Sequence, residues 1–231
     1  IKYIHSDLCG NSECGEEYHP GRTFSVDLGL DFENELYLSE KLTLSYDLGA
    51  ALENLGPRVS YTEGTDKYFL PANLAIGTMV SFSLSLNEKI NLISSVAYQA
   101  EKLLVPTPPT YYNDSLNVDG EKVIREGRKP PSSLPLSWIQ SFYDAPGGFQ
   151  EEWHEILHKF GAEIIIEYTK NFMLALRYGR FSEHETKGNR KYNTLGAGFY
   201  FYGFTINAKL ISGHPILHGQ YGLTAGLQLN L

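Results

Sequence analysis

Thr23-Phe24-Ser25-Val26-Asp27-Leu28-Gly29-Leu30-Asp31-Phe32-Glu33 is the stretch that decides the fold class. Phe24, Val26, Leu28, Leu30 and Phe32 alternate without a break with Ser25, Asp27, Gly29, Asp31 and Glu33. Successive side chains of an extended chain point to opposite sides, so a period of two gives a strand with one apolar and one polar face. On a helix the same residues would be scattered around the axis.

The pattern recurs along the chain. Leu42, Leu44, Tyr46, Leu48, Ala50 and Leu52 stand against Thr43, Ser45, Asp47, Gly49 and Glu53. Leu74, Ile76, Val80, Phe82 and Leu84 stand against Asn73, Gly77, Ser81, Ser83 and Ser85. Weaker versions cover 90–100, 162–168, 172–181 and 192–211. A clean last version sets Tyr221, Leu223, Ala225, Leu227, Leu229 and Leu231 against Gly222, Thr224, Gly226, Gln228 and Asn230. These make about nine strands of roughly 9 to 12 residues, longer than the usual five or six and long enough to cross a bilayer at a tilt.

The connections alternate in length. Short ones are expected at 34–40, 87–89, 169–171 and 202–203, and long ones at 54–70, 102–157, 182–191 and 212–219. Small turns at one end and large loops at the other are the habit of outer-membrane barrels. Asp27, Asp31, Asp47, Glu53, Glu163, Glu167 and Arg177 all fall on the Gly/Ser/Thr-rich face, as a polar lumen requires. A water-soluble sheet with one buried face would give the alternation of any single strand. Loop sorting and the nearly charge-free opposite face favour an all-β, transmembrane antiparallel β-barrel. The expected organisation is one domain over 1–231 with a long extracellular loop at 102–157. Phe24, Phe32, Tyr168, Phe172, Tyr200 and Phe201 lie near strand ends and are candidates for interface girdles.

Composition narrows the partners. The chain has 231 residues and a formal net charge of -8. No Lys/Arg-rich run supplies the basic stripe that a nucleic-acid backbone needs, so nucleic acid is not an expected partner. No run of about 18 apolar residues occurs, which excludes a helical span and leaves strands as the route through a bilayer. The opening Ile1-Lys2-Tyr3-Ile4-His5 has neither an initiator Met nor a signal peptide, and the sequence is expected to be cut from a longer one.

The sharpest chemical motif is His154-Glu155-Ile156-Leu157-His158, an H-E-x-x-H followed by Gly161. A zinc peptidase needs both His on one helical face, Glu155 as general base and a third ligand. Phe149, Trp153, Ile156, Leu157 and Phe160 recur at helical spacing after Pro146-Gly147-Gly148, which predicts a short loop helix. The third-ligand position is Ile164, and Glu183 or Glu185 would lie beyond a turn and a strand. The motif is therefore read as a loop helix with incidental His, with no metal or cofactor and no enzymatic activity expected; a metallopeptidase is the least favoured alternative. Cys9 and Cys14, in a polar Gly/Glu segment, suit a small loop disulfide better than a metal site.

The 102–153 segment carries Pro106, Pro108, Pro109, Pro130, Pro131 and Pro135, then Trp138, Phe142 and Phe149. A Pro-fixed backbone with aromatic tips suggests an ordered, protein-binding or plugging element. Tyr61, Phe69, Pro106, Pro108, Trp138 and Phe142 are the expected contact residues.

Six strings resemble one family: 3–8 (Tyr-Ile-His-Ser-Asp-Leu), 20–30, 54–61 (Asn-Leu-Gly-Pro-Arg-Val-Ser-Tyr), 102–109 (Lys-Leu-Leu-Val-Pro-Thr-Pro-Pro), 144–149 (Asp-Ala-Pro-Gly-Gly-Phe) and 186–192 (Thr-Lys-Gly-Asn-Arg-Lys-Tyr). The family is PorV (LptO), of the type IX secretion system, with a FadL-like barrel. The resemblance implies a fourteen-stranded fold in the bacterial outer membrane, of which this chain looks like the C-terminal part. It implies a non-enzymatic shuttle. Such a shuttle docks beside a large outer-membrane translocon barrel and binds secreted cargo through its C-terminal signal domain. It passes that cargo to an attachment complex with a sortase-like protein. Membrane lipid or lipopolysaccharide is a further implied contact. The runner-up, a FadL-like transporter of hydrophobic compounds, would need an apolar lumen, which the charged face does not offer.

Overall fold

The computed structural model describes all residues except 10–17, 63–66, 117–119, 170, 214–218 and 228–231. For 113–115 only the backbone is described. Twelve strands and two short helices follow in order: β1 (Lys2–Ser6), β2 (Gly21–Ser39), β3 (Leu42–Leu55), β4 (Asn73–Asn87), β5 (Ile90–Leu103), β6 (Thr110–Leu116), β7 (Lys122–Glu126), α1 (Leu134–Gln140), α2 (Phe149–His154), β8 (Ile156–Tyr168), β9 (Phe172–Ser182), β10 (Lys191–Phe201), β11 (Phe204–Ser212) and β12 (Gln220–Leu227). Ten strands form one sheet in the order β1-β2-β3-β4-β5-β8-β9-β10-β11-β12, and β6 and β7 pair separately. The chain is thus an antiparallel meander interrupted once, between β5 and β8, by the 102–156 excursion. The all-β reading holds, and no described helix is long and apolar enough to cross a membrane.

The chain divides into two compact units. One comprises Leu30–Ala50, Ile76–Ala100 and Leu157–Leu231. Within it the register makes the two-faced pattern explicit. Ala162 faces Tyr178, Tyr178 faces Leu195, Leu195 faces Leu210, and Leu210 faces Tyr221. The next apolar row runs Ile164, Leu176, Ala197, Ala208, Leu223. Leu176, Leu195, Tyr221 and Leu223 stay exposed on this face. Between these rows, on the other face, lies Glu163, Arg177, Gly196, Lys209, Gly222. One-residue slippage would swap the two sets everywhere, so burial chemistry and register specify each other.

The short connections of this unit lie side by side. The Ser85 N–H donates to the Lys41 carbonyl at 2.8 Å, Thr169 N–H to Lys89 at 2.7 Å, and Tyr202 N–H to Asn171 at 2.9 Å. Tyr202 and Gly203 both take positive φ, 46° and 90°, the mirror-image two-residue turn that suits the twist of a hairpin. Rings gather at this end: Tyr168 on Phe172, Phe172 on Phe199, and Phe201 on Tyr202. Tyr200, expected in the same girdle, pairs with Thr205 and Met173 on the opposite face.

Two boundaries differ from the sequence expectation. The strand expected to end near Glu33 continues to Ser39, and the connection shrinks to a tight turn in which Ser39 Oγ accepts from the Lys41 N–H. Asn34, expected at the start of that connection, lies in the strand, where its Nδ2 donates to Tyr46 Oη at 2.8 Å. The helix expected to run from Phe149 through Phe160 stops at His154, because residues 158–168 pair as a strand with 172–182.

The other unit comprises Ile1–Gly29, Ala51–Ala75 and Glu101–Ile156. Here β1 pairs with the start of β2, Lys2 opposite Ser25. Its buried apolar residues, among those described, are Val59, Leu70, Ala72, Leu104 and Ala145. Leu104 N–H donates to the Ala72 carbonyl at 2.7 Å, which ties the start of the excursion to the 56–72 connection. Gly56 passes so close to the Phe24 carbonyl that any Cβ would overlap it.

Candidate docking region and the polar sheet face

The excursion is held by ions buried beneath it. Lys102, 6% exposed, sits at the end of β5. Its neighbour Glu101 accepts from Asn73 Nδ2 at 2.8 Å on one side of the strand, and Lys102 therefore points to the other. There Lys102 Nζ lies 2.9 Å from Glu152 Oε2 and 2.6 Å from Glu155 Oε2. The leftover acceptors are used: Glu155 Oε1 by Thr107 Oγ1 at 2.8 Å, and Glu152 Oε1 by the Ala145 N–H at 2.8 Å. A buried pair of this kind persists only when its remaining lone pairs are satisfied.

Asp144 lies nearby, 1% exposed, accepting from Gln140 Nε2 at 3.3 Å. Burial raises its carboxyl above the usual range, opposed by the Gln140 and Thr107 hydrogen bonds and reinforced by the charges of Glu152 and Glu155. Arg58 reaches from the 56–72 connection to the Pro131 carbonyl at 2.7 Å, and its guanidinium stacks 4.0 Å from the centre of the Phe69 ring. The resembling strings 102–109 and 144–149 are thus joined through Glu152 and Glu155, while 54–61 reaches the excursion at Pro131 through Arg58.

The expected contact residues divide by position. Pro108 and Phe142 are exposed; Tyr61, Phe69 and Trp138 are half-buried. Pro106 is buried, beside the buried Leu104, and can only fix backbone. Cys14 lies outside the described residues, and with it the expected Cys9–Cys14 pair. Sequence reasoning missed Lys102, Glu152 and Asp144 as a group. The signal was there in Lys102, which interrupts the outward row Val96, Tyr98, Ala100 of β5 with a charge that needs a partner.

The metallopeptidase alternative for the H-E-x-x-H finds no zinc-site geometry in the local structure. His154 ends α2, whereas His158 is in β8, opposite Ser182, with a ring nitrogen 2.7 Å from Tyr98 Oη. Glu155 holds Lys102 instead of activating a water, and Ile164 is an exposed strand residue. Among the described residues no group of three or more His, Cys, Asp or Glu could hold a metal ion.

On the polar sheet face, Arg177 pairs through Nε with Glu163 and donates through Nη1 to Asn207 at 3.2 Å. It reaches Asn207 across Gly198, where a Cβ would come within 2.9 Å of both partners. Glycines on this face thus make room for long charged side chains. At the far end of β9, Glu183 receives Arg190 in a two-pronged contact at 2.8 and 2.9 Å. The Arg190 hydrogen bonds hold the Glu183 carboxyl below its ordinary range, against its burial.

The family model described as type IX secretion system protein PorV matches residues 1–110. This is a partial match that covers β1 to β5 and the first residues of the excursion, and it connects the chain with type IX protein secretion. No curated protein matches the chain.

Proposed function

We propose, on the premise of that partial PorV match, that the chain works in the bacterial outer membrane as a type IX secretion shuttle. It binds the translocon barrel, receives cargo through C-terminal signal domains, and delivers it to the attachment complex. The single observation that carries this reading is the match over 1–110 together with a long-stranded meander whose apolar rows remain exposed. The charged ladder of Glu163, Arg177 and Lys209 on the other face suits a polar lumen and speaks against a path for hydrophobic solutes.

Partner contacts are assigned to Tyr61 and Phe69 and to Pro108, the exposed residue of the 106–109 corner. Arg58, Lys102 and Leu104 tie the described residues on either side, which lowers the ordering that docking requires there. A photo-cross-linker at Pro108, with a control in the tight turn at Glu40, tests this in the full-length protein in its native membrane. Capture of a large barrel or of secreted cargo from position 108 alone is expected. Recovery of the protein with lipid only would reject the shuttle.

A further inference from the structure

The two helices of the excursion are inside out. α1 and the residues after it bury Ser137, Gln140, Ser141 and Asp144 and expose Leu136, Ile139, Phe142 and Tyr143. α2 buries Glu152 and exposes Phe149 and Trp153. Within α1, Ser137 and Gln140 lie one turn apart on the buried side and Leu136 and Ile139 one turn apart on the exposed one, and the turn that follows buries Ser141 and Asp144. Glu152 of α2 meets Lys102 on the side of β5 opposite the Glu101–Asn73 contact, and the centre of the Phe142 ring lies 5.8 Å from the Lys102 ammonium. Leu136, Ile139, Phe149 and Trp153 are left exposed on the other side of the helices.

A basic stretch borders this surface. Between Glu121 and Lys129 there are four cations and two anions, Lys122, Arg125, Arg128 and Lys129 against Glu121 and Glu126, in a chain of net charge -8. Arg128 lies 4.8 Å from the centre of the Tyr143 ring, and the Lys129 carbonyl accepts from Gln140 Nε2 at 3.3 Å. Aromatic and aliphatic side chains bordered by Arg and Lys are the chemistry of an element lying in a headgroup layer that carries phosphate.

We propose that residues 134–153 form an interfacial lipid anchor. The rings and aliphatic chains of α1 and α2 seat at the acyl boundary of an anionic leaflet, and Arg128 and Lys129 meet its phosphates. This rests on the outer-membrane part of the reading above, but not on secretion.

The chain has two tryptophans, Trp138 and Trp153. The full-length protein, reconstituted in phosphatidylcholine vesicles with and without phosphatidylglycerol, is compared with its Trp153→Phe variant, so that the difference in emission reports position 153. The expected result is quenching of Trp153 by lipid brominated near the headgroup end of the chain, and shielding from aqueous iodide. Arg128→Gln with Lys129→Gln should weaken the response to phosphatidylglycerol. Trp153 open to iodide and blind to brominated lipid would overturn the anchor. So would shielding that develops only when outer-membrane proteins are added, which would make this a protein-docking face. An unchanged response in the charge variant would overturn the phosphate contact. Flotation and resistance to alkaline extraction are read on the same samples: failure there rejects the membrane-spanning strands, whereas insertion with a water-exposed Trp153 rejects the anchor alone.

Discussion

Replacing Lys102 by Met is the most informative perturbation of the excursion. The substitution keeps an unbranched side chain of similar length but leaves Glu152 and Glu155, both within 3 Å of the ammonium in the native protein, as like charges in a poorly hydrated site. Removing one partner of a buried ion pair costs about 3–5 kcal/mol, because the other stays desolvated and uncompensated. The side chains of Lys102 and Glu152 are only 7% and 8% exposed, so solvent screening relieves little of this. Local opening of 134–156 should become more frequent by about two to four powers of ten, at 1.36 kcal/mol for each. Hydrogen exchange on the reconstituted protein reads this directly: amides of α1, α2 and Ala145 lose protection while those of β8 to β11 keep theirs. Adding Glu152→Gln and Glu155→Gln to Lys102→Met should restore most of the protection. Gln can still accept from Thr107 and the Ala145 N–H, and none of the three charges is left without its partner. Unchanged protection in the single variant, or none regained in the triple, would refute the view that these ions hold the excursion down.

Three further outcomes are expected. Leu176→Arg, on an exposed apolar row, should cost about 2–4 kcal/mol in bilayer refolding titrations, the depth-dependent cost of a cation on a lipid face, and almost nothing if that face meets water. Gly188→Ala puts a Cβ 2.5 Å from Glu183 Oε2 at a backbone φ of +121°, and should loosen the 183–190 loop by about 1–3 kcal/mol, seen as faster local proteolysis. Since the Glu183 carboxyl is held below its unfolded value, its stabilising effect is present above that value and is lost as pH falls through the lower folded one. Protection of the Arg190 amide should therefore decline only in strongly acidic solution. Asp144, shifted upward, acts in the opposite sense and favours the anchored excursion at acid pH, a contribution lost as pH rises through its folded value.

Strand existence was legible because it rests on local repetition. Phe24 to Phe32 or Tyr221 to Leu227 need only period two to declare two faces, and the register later pairs apolar with apolar across every strand from β8 to β12. The short turns at Asn87–Lys89 and Tyr202–Gly203 were readable for the same reason. Helical spacing misled at Ile156 to Phe160, where residues that also suit a half-buried strand found partners in β9. With that pairing the His154/His158 geometry of a metal site disappeared.

By itself the sequence determined the all-β class, the two-faced strands and the polar ladder residues, since each depends on neighbours two positions apart. Only the tertiary structure decided that Lys102 meets Glu152 and Glu155 some fifty residues away, that Pro106 is buried while Pro108 is not, and that α1 turns its polar side inward. Those outcomes depend on which surfaces the long connections cover. Such coverage is a balance of desolvation, ion pairing and loop closure that no local period records.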